Sequence, residues 1–101
     1  MNRFDDVMAG EKVPLAFDFS EDLPSGVTLA LADSVSIAVV RGTDADPDAM
    51  KVGAAAVVGS DVIQMVNPTV SGVEYRVTGW GVFSDGQRRA IPARMTVVSE
   101  T

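Results

Sequence analysis

Apolar and polar residues alternate in short runs along most of this chain, and a period of two is the pattern of a β-strand with one buried face. Apolar side chains occupy every second position in residues 13–19, and the run 34–41 alternates Val35, Ile37 and Val39 with small residues. Turn residues separate such runs at intervals that suit two stacked sheets. The pattern therefore predicts an all-β fold, an immunoglobulin-like antiparallel β-sandwich of about seven strands.

The length of the chain allows one domain. With 101 residues, 47% of them apolar, it is long enough to bury a core of its own. We expect a polar N-terminal arm at 1–11 and a single sandwich domain at 12–99. One short helical turn is expected near 46–50, because Asp46 can cap a turn and Pro47 suits its first position.

Two prolines indicate strands at the edges of sheets. Pro14 and Pro92 stand inside alternating runs, and proline has no N–H to donate to a neighbouring strand. In the strand expected at 61–66, Ile63 and Met65 are expected to point inward and Gln64 outward. The side chains expected to form the core include Phe17, Ile37, Tyr75, Val77 and Ile91.

The last third of the chain predicts a hairpin whose register follows from its loop. A three-residue loop at 84–86, with Gly86 left-handed, puts apolar residues of both strands on one buried face. It pairs Tyr75 with Met95, Val77 with Ala93, and Gly79 with Ile91. A bulge near Gly79 or Gly81 is the competing solution.

Tyr75 also fits the position of the tyrosine that begins the penultimate strand of such sandwiches. That tyrosine packs its ring in the core and bonds its hydroxyl to upstream backbone. An ordinary buried tyrosine on a strand fits the spacing equally well.

Composition argues against several classes of function. The chain has no cysteine and no histidine, so disulfides, thiolate chemistry and the commonest general base are absent. Its formal net charge of −6 would repel nucleic acid and anionic membranes. No apolar run approaches membrane-spanning length, and the N-terminus lacks the pattern of a signal peptide. We expect no cofactor, no nucleic acid and no membrane partner.

No motif predicts catalysis or metal binding. Asp44, Asp46 and Asp48 alternate as calcium ligands do, but Pro47 interrupts them and neither the glycine nor the terminal glutamate of a calcium loop follows. The serines lack a histidine base. The chain is therefore not expected to be an enzyme.

Trp80 is the most informative candidate for an interface. Trp80 is an odd number of residues from Tyr75 along the strand, so its side chain should point to the opposite face of the sheet. There Val82 and the stem of Arg76 could extend an apolar patch flanked by glycines. Arg88 and Arg89, near the hairpin tip, could meet an acidic partner. A shifted register that buries Trp80 in the core remains an equal alternative.

Several segments together resemble small tailed-bacteriophage virion proteins of the fiber–tail adaptor type. The resemblance covers roughly residues 11–98 and follows Val-Pro-Leu-Ala-Phe-Asp-Phe-Ser, Leu-Pro-Ser-Gly, Gly-Thr-Asp-Ala-Asp-Pro-Asp-Ala-Met, Val-Ser-Gly-Val-Glu-Tyr-Arg-Val and Ser-Asp-Gly. It implies an Ig-like structural protein, present in multiple copies in a symmetric particle and joining other virion proteins.

The function expected from these observations is a non-enzymatic tail or fiber adaptor, located in the virion and in the host cytoplasm during assembly. A capsid decoration or head-completion protein is the alternative within the structural class. A carbohydrate-binding module, using Trp80 as an aromatic platform, is the alternative from another class.

The core assignment makes a direct prediction for Ile37→Asp. The substitution puts an unpaired charge in the core, and net stability is only about 5–15 kcal/mol. The variant is expected to be unfolded by circular dichroism. A folded variant with an unchanged thermal midpoint would contradict the assignment of Ile37 to the core.

Overall fold

A computed structural model describes residues 2–99, and it is all-β. The strands are β1 (Asn2–Arg3), β2 (Val7–Met8), β3 (Val13–Asp18), β4 (Leu29–Arg41), β5 (Lys51–Val58), β6 (Asp61–Val66), β7 (Val73–Phe83) and β8 (Arg88–Val98). Two 3₁₀ turns lie at Ser20–Asp22 and Pro47–Met50. Because β1 and β2 are short segments that both pair with β8, we count them as one interrupted strand, and the sandwich then has seven strands.

The strands form two sheets, and the predicted Ig-like sandwich is confirmed. One sheet has the order β8-β7-β4, with β1 and β2 added on the free side of β8, and the other has the order β3-β6-β5. These are the pairings of the CFG and BED strands in the immunoglobulin fold. All neighbours are antiparallel except β1 and β2, which run parallel to β8.

The core lies between the two sheets, and one close contact determines how tightly they pack. A Cβ built on Gly79 of β7 would lie only 2.4 Å from Cγ of Phe17, so glycine there lets the β3 ring lie on bare backbone. The five residues expected in the core are all buried, Phe17, Ile37, Tyr75, Val77 and Ile91. Phe19 and Phe83 add an edge-to-face pair with centroids 5.9 Å apart.

The β7–β8 hairpin has the predicted register and turn. Tyr75 pairs with Met95 and Gly79 with Ile91. The amide of Gly86 donates to the Phe83 carbonyl at 2.9 Å, and Gly86 has φ of +92°. The three-residue loop therefore closes with the left-handed glycine bulge at Gly86, and the register shows no second bulge near Gly79 or Gly81.

The N-terminal segment, predicted as an arm, lies against the sandwich over its described residues. The amide of Phe4 donates to the Arg94 carbonyl at 2.9 Å, and that of Ala9 donates to the Val98 carbonyl at 2.8 Å. Val7 is buried in the core, and Phe4 meets Phe17 edge-on with ring centroids 5.4 Å apart. Apolar side chains within the segment thus have a place in the core.

The two prolines differ in their surroundings. β3, which contains Pro14, is an edge strand as predicted. The strand containing Pro92 is not a free edge, because β1 and β2 pair with it on the side away from β7. Neither short segment pairs with Pro92 itself, so its missing N–H costs no bond in that ladder.

The prediction for β6 was wrong. Gln64 is buried at 2% exposure between the buried Val62 and Val66, while Ile63 and Met65 point outward and are half-buried. Opposite Gln64, a bulge between Val52 and Ala56 interrupts the pairing of β5 with β6. The Gln64 amide nitrogen donates to the Gly53 carbonyl at 3.1 Å and to the Met65 carbonyl at 2.9 Å. The bulge therefore explains why a polar side chain occupies the inner face.

Tyr75 packs its ring in the core as predicted, but the expected bond to backbone was wrong. Its hydroxyl donates to Oδ2 of Asp44 at 2.7 Å, and Oδ1 of Asp44 accepts the Asp46 amide at 3.0 Å. The helical turn predicted near 46–50 is confirmed, with Pro47 in its first turn, although Asp46 makes no side-chain cap. Asp44 instead orders the loop and ties it to β7.

Replacing Gln64 tests the bulge. Gln64→Met keeps a similar volume but removes the donor, so the carbonyls of Gly53 and Met65 lose a part-buried hydrogen bond and the free energy of unfolding should fall by about 0.5–1.5 kcal/mol. Urea denaturation measures that loss, and faster amide hydrogen exchange in β5 would locate it. Gln87→Met is the matched control, since the Gln87 amide binds exposed groups in the hairpin. Equal losses in both variants would contradict the role of Gln64.

The buried tyrosine predicts a stability loss at alkaline pH. Burial, and then the bond to the Asp44 carboxylate, raise the pKa of Tyr75 well above its usual 10.0. The folded state then keeps a proton that the unfolded state releases, so stability is complete below about pH 10 and falls as pH rises further. Tyr75 is the only tyrosine, so tyrosinate absorbance reports on it alone. The same ionisation midpoint in folded and urea-unfolded protein would contradict this, and Tyr75→Phe should lose the extra pH dependence.

Candidate protein interfaces on the two outer sheet faces

The outer face of the β3-β6-β5 sheet is uncharged over most of its area. We call it the apolar face, and it consists of Pro14, Ala16, Val52, Ala56, Val58, Ile63 and Met65. The register places these side chains in rows, because Met65 pairs with Pro14 and Val52, and Ile63 pairs with Ala16 and Ala56. A third row ends the face with Val58 beside Asp61 and Asp18.

This face is open to solvent. Val58 is 60% exposed and Val52 is 37% exposed, while the two alanines and Pro14 are also exposed. Side chains on the outer face of a solvated antiparallel sheet are normally polar. A contiguous apolar surface on an otherwise acidic chain is a feature of contact surfaces rather than of free surface.

The outer face of the other sheet has a contrasting composition. All six arginines of the chain lie on strands of that sheet. We call its outer surface the arginine face, and it consists of Arg3, Arg41, Arg76, Arg88 and Arg94 together with Trp80 and Val82. The carboxylates that bind these five arginines are Asp6, Asp33 and Glu74, so positive charge is in excess on this face.

Trp80 lies on the arginine face, in register with Ser34 and Ala90. It is half-buried, because the guanidinium of Arg88 lies 4.0 Å from the ring centroid in a cation–π contact. Asp33 accepts a hydrogen bond from Nε of the same arginine. The ring is thus covered by its own chain, and none of the aromatic side chains in residues 2–99 is exposed as a sugar platform would be.

A second cluster on the arginine face joins the N-terminal segment to the sheet. Arg3 donates to Oε2 of Glu74 at 3.1 Å and to the Thr96 hydroxyl at 2.8 Å, and Arg94 donates to Oε1 of Glu74 at 3.2 Å. The hydrogen bond from Arg3, with the nearby guanidinium charges, holds the pKa of Glu74 below its usual value. Nε of Arg94 is buried and has no hydrogen-bond partner.

The five residues predicted for the interface are only partly brought together. Val82 pairs with Arg88 beside Trp80, so those three are neighbours. Arg76 is exposed further along β7, near the Glu74 cluster. Arg89 pairs with Gly81, so its side chain points to the opposite face of the sheet from that of Trp80. It hydrogen-bonds to Gln87.

The glycines beside Trp80 serve the core rather than a partner. The positions where their side chains would stand are taken by Phe17 at Gly79, and by Leu29 and Phe19 at Gly81. The space beside these two glycines is therefore occupied by the protein's own side chains.

Sequence reasoning missed the apolar face. In β6, alternation alone leaves two choices, since Ile63 and Met65 are apolar and so are Val62 and Val66. Because Ile63 and Met65 are larger than the valines and Gln64 is polar, the sequence favours burying Ile63 and Met65, which is wrong. The available signal was in the neighbouring strands, where Pro14 and Ala16 must point outward if Leu15 and Phe17 are buried.

The acidic loop has a structural explanation, since Asp44 is bonded to Tyr75 and to the Asp46 amide. Over residues 2–99, no three acidic side chains are grouped so as to hold a metal ion. The same part of the chain contains no helix able to cross a bilayer. In comparisons with known proteins, no protein-family model and no curated protein matches this chain.

Proposed function

We propose that the chain is a non-enzymatic structural component of a bacteriophage particle, a tail or fiber adaptor that joins neighbouring virion proteins. The observation that carries the proposal is the apolar face, an exposed and largely uncharged sheet surface on a chain of net charge −6. Such a surface favours a protein contact, since an exposed apolar patch of this kind promotes association.

The second outer face supports a role between two neighbours. An adaptor needs two separate contact surfaces, and the sandwich has outer faces of unlike chemistry on its opposite sides. The apolar face suits a dry, non-directional contact. The arginine face suits an acidic partner, because guanidinium groups pair with carboxylates in fixed geometry. The contact of the arginine face with an acidic partner is expected to bury more than about 1,000 Å² in total once partner loops are included.

The composition of purified particles tests this function. Mass spectrometry of particles from the phage whose genome encodes the chain should detect it at a fixed ratio to tail proteins. Particles purified without tails or fibers are the control, and they should lack it. Absence from intact particles would overturn the proposal, and so would catalytic turnover by the purified chain.

A pair of matched variants tests which surface is used in the particle. Ala56 on β5 is exposed on the apolar face, and Ser25 is exposed in the loop before β4, away from both outer faces. Ala56→Glu should reduce incorporation at least tenfold, because it places a charge in the middle of the apolar face. Ser25→Glu should retain more than half, and the reverse result would exclude the apolar face as the contact.

A further inference from the structure

The apolar face is arranged so that it can pack against another copy of itself. Two adjacent rows of the face contain Met65 with Pro14 and Val52 in one, and Ile63 with Ala16 and Ala56 in the next. When a second copy packs on this face with its strands reversed, the Met65 row of one copy lies over the Ile63 row of the other. Met65 of each copy then faces Ile63 of its partner. The alanines at the sides leave room for proline and valine.

The side chains that continue the face in alternation carry opposite charges at its two ends. At one end Asp18 and Asp61 are side by side in register on β3 and β6. At the other end the exposed Lys12 precedes β3, roughly 20 Å away along the strand. The second lysine, Lys51, is already bonded to Asp48 at 3.1 Å. Lys12 is therefore the free cation at that end of the face, within the described part of the chain.

We infer that the partner of the apolar face is a second copy of this chain, packed face to face with its strands antiparallel to the first. This inference rests on the docking role proposed above and names the occupant of one surface. A two-fold axis in the plane of the contact and perpendicular to the strands brings Lys12 of each copy to the Asp18–Asp61 pair of the other. An axis parallel to the strands would instead set the two acidic pairs against each other.

The contact is small, which determines how it is used. Three strands about 4.8 Å apart and roughly 20 Å long cover roughly 300 Å² on each copy. Stable complexes bury about 800 Å² per partner. The pair is therefore weak in dilute solution, with a dissociation constant of roughly 0.1–1 mM. In an assembly that already holds copies side by side, the effective concentration reaches the millimolar range and the contact forms.

Sedimentation velocity of the purified chain up to about 1 mM tests the pairing. The wild-type chain should show reversible dimers, Ala56→Glu should weaken them at least tenfold, and Ala38→Glu, exposed on β4 of the other sheet, should change the constant less than twofold. Ala16→Glu, exposed on β3, replaces Ala56→Glu if that variant does not fold. A chain that stays monomeric, or that dimerises regardless of these glutamates, would overturn the inference.

Charge exchange tests the antiparallel arrangement. Lys12→Glu and Asp61→Lys should each weaken dimerisation, and the two together in one chain should restore it to within about threefold. Asp61→Lys is the more informative, because it reduces the net negative charge from −6 to −4 and would strengthen pairing if general repulsion alone were relevant. Asp61 has no side-chain hydrogen bond within residues 2–99, whereas Asp18 binds the Ser20 amide at 2.8 Å.

The outcomes separate this inference from the proposed function. If the chain is present in particles but its dimerisation is absent or insensitive to Ala56→Glu, the inference fails and the virion role stands. If the chain dimerises as described but is absent from particles, the self-contact stands and the virion role fails. Failure of the double exchange to restore dimers would exclude the antiparallel geometry.

Discussion

The approach of β3 to β7, where the Phe17 ring lies on the bare backbone of Gly79, is the contact on which the rest of the structure depends. A side chain at that position would have to share the space of a buried aromatic ring, and the two sheets would move apart. Because the ring lies there, the edge-to-face contact with Phe4 can bring the N-terminal segment onto β8. Core packing in this protein thus also determines how one sheet edge is covered.

Once the inner faces are fixed, the outer faces follow from the alternation of each strand. Every residue that β3 and β6 bury assigns its neighbours to solvent, and in this sheet those neighbours are largely apolar. In the other sheet they include arginines held by Glu74 and Asp33. A sandwich with one uncharged face and one cationic face can make two contacts of different chemistry. That division is the physical basis for treating the chain as a connecting piece.

Two polar side chains that bind across the fold, Gln64 and Asp44, take part in shaping these surfaces. Gln64 fills the bulge of β5 and thereby turns Ile63 and Met65 outward, so a hydrogen bond inside the sandwich creates the apolar surface outside it. Asp44 has a comparable role at the loop between β4 and β5, where it binds the Tyr75 hydroxyl. Both groups are polar residues whose purpose is evident only from partners far away in the sequence or across a sheet.

The sequence by itself determined the fold class, the strands with clear alternation, the core residues from Phe17 to Ile91 and the register of the β7–β8 hairpin. These depend on local periodicity and on turn chemistry, which neighbouring residues specify. The candidate interface could be predicted only in part, as the cluster of Trp80, Val82 and Arg88. Only the tertiary structure decided which side of β6 points inward. It also decided that the N-terminal segment pairs with β8 and that Asp44 accepts the hydrogen bond of Tyr75. Where both faces of a strand are apolar, alternation cannot distinguish them, and the choice is made by hydrogen bonds to another strand.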